Sequence, residues 1–392
     1  MSTSRRKPRQ RFADARAVVA ALTPSYPVYC VRPGVLQATA RRFLSQFPGR
    51  VLYAVKCNPH PMVLQALYDA GIRHFDTASL PEIAQVREMF RDAEPYFMHP
   101  VKGRAVIKSA HEVYGVRTYV LDHASELAKL QDETDGAEGT TVVVRLETPK
   151  GQALYDLSAK FGAPPAEAAA LLRRIAGDGL RAGLAFHVGS QCTSPEAYAR
   201  ALELAGRVIA EAGVDIHLLD VGGGFPAGYP GTQAPPLEVF VDEIARGVRA
   251  IGLRNDCVLM CEPGRALVAD GMSLVVQVQL RKGSQLYVND GIYGGLSETK
   301  AAGIRLPVAA IRLKGAFAPG MASFTVNGPT CDSLDVLPDP FVLPEDIGEG
   351  DWIEVGQVGA YSNANATHFN GFHADTFVEV EDAGPGGAVA RG

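Results

Sequence analysis

A chain of 392 residues, 47% hydrophobic and 21% charged, has ordinary globular composition and enough length for more than one domain. A formal charge of −5 and a pI near 6.0 describe a soluble, mildly acidic protein without the basic surplus of a phosphate-backbone binder, which argues against nucleic acid as a partner. No apolar run reaches the roughly 18 residues of a membrane span. The six cysteines (Cys30, Cys57, Cys192, Cys257, Cys261, Cys331) form no CxxC pair. They read as reduced thiols, with no disulfide framework and no metal site, in a cytoplasmic protein.

In chain order, Arg5, Arg6, Lys7, Arg9 and Arg11 come first, with no apolar stretch behind them, so the segment reads as a solvated arm and not a secretory signal. The run YPVYCV (26–31) is a strand candidate that joins a sheet formed further along. From about residue 50 to 270, short apolar runs alternate with helix-length segments, the pattern of repeated βα units. The runs are VLYAV (51–55), RHF (73–75), PYFM (95–98), TYVL (118–121), TVVV (141–144), GLAF (183–186), HLL (217–219) and CVLM (257–260). Eight of them suggest a closed (β/α)8 barrel, although an open doubly wound sheet fits the same alternation. Ser79 with Glu82 is a capping-box signature with Pro81 in the first turn, and residues 194–213 carry apolar positions at helical spacing. After about residue 270 the runs SLVVQVQL (273–280), QLYVND (285–290), WIEVG (352–356) and TFVEVED (376–382) read as an all-β domain. The expected division is 1–31 (arm and joining strand), 32–270 (barrel) and 271–392 (β domain).

What favours the barrel is the residue that follows each run: Lys56, Asp76, His99, Asp122, Arg145, His187, the Gly222-Gly223-Gly224 turn and Glu262. In a barrel the C-terminal strand ends converge on one site. Lys56 ends an apolar strand, where desolvation favours a neutral amine or an imine. The glycine turn lets backbone N–H groups approach an anion, and Arg265 adds a cation where barrels commonly bind phosphate. Glu262 is suited to hold a pyridine nitrogen protonated, and the His187 ring to stack on a flat cofactor. Cys331 and Asp332 place a thiol beside a carboxylate in a Gly-Pro turn. Singly, each has a plain reading: a solvated lysine, a tight turn, a core histidine, a surface loop.

Taken together, the stretches YAVKCNPHP (53–61), FDTASLPEI (75–83), LSAKFG (157–162), FHVGSQC (186–192), DVGGGFP (220–226), EPGR (262–265), YVNDGIYG (287–294), GPTCDSLD (328–335) and GAYSNANATHFNGF (359–372) resemble the fold-type III pyridoxal-phosphate decarboxylases of the ornithine/lysine decarboxylase group. The resemblance implies an alanine-racemase-like TIM barrel with a β domain, working as a homodimer with shared active sites. It implies a Schiff base at Lys56, Glu262 on the pyridinium nitrogen and His187 stacked on the ring. Ser190, Gly222, Gly223, Gly224, Arg265 and Tyr361 would hold the phosphate, with Asp76 and Arg145 lining the cofactor side. From the partner subunit, Cys331 would protonate the α-carbon and Asp332 would bind the distal amine of the substrate. An intersubunit ion pair would join Lys160 and Asp335.

One position departs from the pattern. Ornithine-specific members carry an acid where ungapped counting puts Ala302, and Glu298, one helical turn earlier, is the candidate substitute in the substrate pocket. The expected activity is decarboxylation of L-ornithine or L-lysine to putrescine or cadaverine, in polyamine biosynthesis. Arginine, meso-diaminopimelate and carboxylated polyamines remain alternative substrates. Racemization is disfavoured by Glu262 and the Cys331–Asp332 pair, and a catalytically dead protein-binding homologue by the retained Lys56, Glu262, Arg265 and Cys331.

Overall fold

The computed structural model describes residues 11–136, 138–148, 153–155 and 160–386. The charged residues Arg5, Arg6, Lys7 and Arg9, and part of the LSAKFG stretch, lie outside them. Strands Arg50–Ala54, His74–Thr77, Glu94–Phe97, Thr118–Leu121, Thr141–Arg145, Arg181–Ala185, Leu218–Asp220 and Val258–Cys261 run parallel and close into an eight-stranded barrel, which removes the doubly wound alternative. Leu52, Tyr96, Val120, Val143, Leu218 and Met260 point inward and fill it, so the barrel is a packed core open only at its ends. Residues of opposite parity pack on the surrounding helices. The Leu80–Met89 helix begins as its sequence signals: the Ser79 side chain accepts from Glu82 N, and Glu82 reaches back to Ala78 N at 2.7 Å.

The second unit is a nine-stranded sheet. Met272–Lys282 is its long central strand, bonded antiparallel to Val28–Val31, Gln285–Val288 and Trp352–Val355. Strands Val308–Ile311, Met321–Asn327 and Phe341–Pro344 also belong to it and were not legible as runs, because Val308–Ile311 and Phe341–Pro344 are only four residues long and Met321–Asn327 mixes polar with apolar positions. The solvated-arm expectation fails from residue 11 onward. Arg11–Phe12 pairs parallel with Thr376–Val380, and Arg11 meets Glu379 at 3.4 Å. Helix Ala15–Leu22, capped by Asp14, presses Val18 and Val19 onto Cys30, Val275 and Trp352. An otherwise open sheet edge and an apolar face explain why this segment is ordered.

Arg32 ties the N-terminal strand to the rest of this domain. Its side chain is 1% exposed and donates to Glu354 at 2.6 Å, Ser273 at 2.7 Å and Asp382 at 3.0 Å. Removing the cation strands a buried carboxylate. Arg32→Met is therefore expected to lower the unfolding free energy by about 3–5 kcal/mol in urea denaturation, and an unchanged midpoint would refute this anchoring role.

Candidate active site

The barrel register brings the strand-end residues together. Ala54 pairs with Asp76 across the first two strands, and the next residues turn through a short 3-10 segment, Val55–Cys57, that carries Lys56 over the barrel mouth. Lys56 Nζ lies 2.6 Å from Asp76 Oδ2, with Asp76 only 1% exposed and Lys56 open toward a cavity. That cavity, about 210 Å³, is lined among others by Lys56, Arg145, His187, Ser190, Gly224, Glu262, Arg265 and Tyr361, together with Met98, His99 and Phe161. Roomier grooves of about 420 and 500 Å³ elsewhere are each lined by one arginine and one aspartate and lack this convergence.

The electrostatics follow from burial. Desolvation alone would lower the Lys56 pKa, but the facing carboxylates of Asp76 and Glu262 outweigh it and raise it above that of a free lysine. Glu262 moves well above the carboxylate range, through burial first and then the charges of Asp220 and Asp76. His187 is pushed well below the usual imidazole value by burial and by Arg145 and Lys56, so its ring is neutral at pH 7. Its Nδ1 accepts from Gly189 N at 3.0 Å, which fixes the ring at the end of the sixth strand. Arg145 has its guanidinium 5.5 Å from the Phe161 ring centroid, and burial lowers its pKa.

The glycine turn after the seventh strand has no room for side chains. A Cβ on Gly222 would lie 2.2 Å from Phe186 O, on Gly223 2.5 Å from Glu262 O, and on Gly224 2.4 Å from Gly189 O. Gly222 and Gly224 also take φ of 70° and 103°, in the left-handed region. The turn thus presents bare backbone at the cavity. Beside it Arg265 donates to the Tyr229 hydroxyl at 3.2 Å and lies 5.1 Å from the Tyr361 ring centroid, while its buried Nε has no partner.

Several expected residues sit elsewhere. Glu298 is not part of the cavity lining. Its carboxylate takes Arg265 Nη2 at 2.6 Å, in a buried ion pair. It was expected to replace the acid missing at Ala302; the short helix Ser297–Ala301 starts beside Arg265 and turns this first-turn glutamate onto that cation. Ala302 is itself buried, with its N–H on Glu298 O. Cys331 and Asp332 lie on the β domain, Cys331 exposed, and neither lines the cavity that holds Lys56. Asp335 is buried and accepts from Ile292 N, Thr330 N and Thr330 Oγ1, stapling its own turn, while Lys160 is exposed beside Phe161. Among the described residues no ion pair joins Lys160 to Asp335 within the chain.

The structure adds residues that sequence reading missed. Tyr293 donates a short hydrogen bond to Asp332, which also accepts from Leu334 N, and Asn370 Oδ1 accepts from Cys331 N at 3.1 Å. Asp220 is buried against Glu262, and Tyr229 braces Arg265. Tyr293, Asn370 and Asp220 stand inside motif stretches already singled out. Tyr229 stands in none.

A lysine beside a buried acid, an anion cradle that any Cβ would fill, an arginine Nε without a partner and a buried carboxyl oxygen of Glu262 without a donor together fit pyridoxal phosphate, with its aldehyde, phosphate and ring nitrogen. The family model for the pyridoxal binding domain of pyridoxal-dependent decarboxylases matches residues 34–269, and the chain belongs to that family. Within it, the chain falls in the ornithine/lysine decarboxylase group. The lysine/ornithine decarboxylase of Selenomonas ruminantium is 36% identical over 345 residues, which cover 85% of this chain and 84% of that protein. A crystal structure of lysine decarboxylase from the same organism matches with a TM-score of 0.82 at 30% identity, over 98% of this chain and 99% of that one. The arginine decarboxylase of Paramecium bursaria Chlorella virus, bound to agmatine, matches at 0.82 and 26% identity, over 93% and 99%.

Gly223→Ala tests the cradle. Its Cβ forces the turn away from Glu262 O and from His187 Nε2, 3.1 Å away. The affinity for pyridoxal phosphate, read by absorbance titration, is expected to fall at least about tenfold with far-UV circular dichroism preserved. Wild-type affinity in this variant would contradict the cradle.

Proposed function

We propose that this chain decarboxylates L-lysine or L-ornithine, as a homodimer whose two active sites each draw residues from both subunits. The observation that carries the chemistry is the convergence of Lys56, Asp76, Glu262 and Arg145 on one cavity beside the glycine turn. The substrate choice rests on the likeness to lysine/ornithine decarboxylase. When bound, pyridoxal phosphate supplies an electron sink for the pair left as the bond from Cα to the carboxylate breaks. Lys56 anchors the cofactor, and Asp76 holds Lys56 Nζ in position over their 2.6 Å contact. Glu262 holds a proton at the ring nitrogen. Neutral His187 packs on the ring without adding a charge that would compete with that proton. The Gly222–Gly224 amides, Ser190, Arg265 and Tyr361 bind the phosphate, and Glu298 with Tyr229 keeps the Arg265 fork in place.

The remaining parts come from the second subunit. Cys331 is exposed and held by Asn370, and Asp332 is held by Tyr293 and Leu334 N, so both are preset on the β domain away from their own chain's Lys56. In the dimer Cys331 of the partner subunit returns a proton to Cα, and Asp332 of the partner subunit meets the distal ammonium. Lys160 and Asp335 lie toward the same interface, and the protein works in the cytoplasm.

Mixed dimers test this reading. Lys56→Ala and Cys331→Ala chains, each inactive alone, are expected to regain about a quarter of wild-type turnover when co-refolded, because one of the two sites in a heterodimer is intact. Product identification in the same assay should give cadaverine or putrescine. No recovery on mixing would refute the shared site, and agmatine as sole product from a panel of basic amino acids would refute the substrate.

A further inference from the structure

Asp220 closes the seventh barrel strand and Glu262 follows the eighth, and these strands are bonded neighbours with Asp220 opposite Met260. Glu262 N donates to Gly222 O at 2.9 Å, which locks the two strand ends in step. The register therefore sets the two carboxyls side by side at the floor of the site. Asp220 is 0% exposed, and its Oδ1 accepts from Gly222 N at 2.8 Å. That bond holds one oxygen and leaves the carboxyl in hydrogen-bonding reach of Glu262. Asp220 Oδ2 and Glu262 Oε1 are both buried, and no donor among the described residues satisfies either.

Two bare carboxylates in contact repel by about 4 kcal/mol even at an effective dielectric of 20. Such pairs keep one proton between them. The surroundings require the same. Asp76, Asp220 and Glu262, with Asp122 beside Arg145, outnumber the two cations Lys56 and Arg145, so negative charge is left over in a desolvated site. His187 is neutral, and the adjoining Cys261 thiol, pushed up by burial and then by Asp220 and Glu262, stays protonated, so neither changes that balance.

We propose that Asp220 and Glu262 share one proton, with Asp220 the positioning residue that is hydrogen-bonded to Glu262 through it and fixes the orientation and charge of that carboxyl. This rests on the reading of Glu262 as the partner of the ring nitrogen and deepens it. A pair that holds one proton carries a single negative charge, which matches one protonated ring nitrogen. A fully ionised pair would carry two charges against it.

Infrared difference spectroscopy of the full chain without cofactor tests the shared proton directly. At pH 7 the wild type should show a carbonyl stretch of a protonated carboxylic acid, above the amide band, that shifts on labelling aspartate and glutamate with carbon-13 and persists in Asp290→Asn, which removes the contribution of the buried Asp290, raised to about 7 by burial. Asp220→Asn should abolish it, Glu262→Gln should abolish the same band, and raising the pH should remove it from the wild type. In the Asp290→Asn background, absence of the band at pH 7 would overturn the proposal, as would a band that Glu262→Gln leaves in place. Glu262→Gln alone decides the matter if Asp220→Asn does not fold. The two readings fail separately: an unchanged kcat in cofactor-loaded Glu262→Gln would sink the ring-nitrogen role without bearing on the wild-type band.

Discussion

The contact between Lys56 and Asp76 depends on the barrel register, and most of the site depends on that contact. Because Ala54 pairs with Asp76, the residue two positions past Ala54 reaches the acid at the end of the neighbouring strand, at 2.6 Å. A buried carboxylate without this cation would be costly by several kcal/mol, and a lysine at an apolar strand end without the acid would turn to solvent. Closing the sheet then carries the same logic round the mouth, to Arg145 on the fifth strand, His187 after the sixth, Asp220 on the seventh and Glu262 after the eighth. The site residues stand at the ends of these short parallel strands, and the packed interior keeps those positions from drifting.

Around this centre the chain balances buried charge in local pairs. Glu298 neutralises Arg265 while Tyr229 takes a second donor, which orients the guanidinium and leaves the buried Nε without a partner among the described residues. On the β domain, Tyr293 and Asn370 hold the Cys331–Asp332 turn from outside, and Asp335 staples it from within. The long strand Met272–Lys282 and the Arg32 cluster connect this domain into one sheet. In the proposed dimer such rigidity matters, because a turn that serves a partner's site has to be formed before the partner arrives.

Much of the barrel was legible because each strand announced itself twice, as a short apolar run and as a polar residue at its end. Lys56, Asp76, Arg145, His187 and Glu262 stand at the mouth for that reason. Weakly apolar strands such as Val308–Ile311 and Met321–Asn327 gave no such signal, since half their side chains face solvent. The ordered segment Arg11–Leu22 was hidden because its partner, Thr376–Val380, lies at the other end of the chain. Pairings made by tertiary approach were the least visible. Arg265 and Glu298 are separated by 33 positions, so spacing along one helix suggested a substrate role for Glu298 and gave no sign of its arginine partner. Asp220 stood in plain view within DVGGGFP, yet its importance comes from the strand beside it.

Lys56, and no other lysine, is the expected anchor of the cofactor. Borohydride reduction of the cofactor-loaded protein, followed by peptide mass mapping, tests this most directly. The expected result is a single reduced pyridoxyl-phosphate adduct on the peptide containing Lys56. An adduct on another lysine, such as the buried Lys102, which donates to Val120 O at 2.6 Å, or a protein that binds the cofactor and yields no adduct, would contradict it.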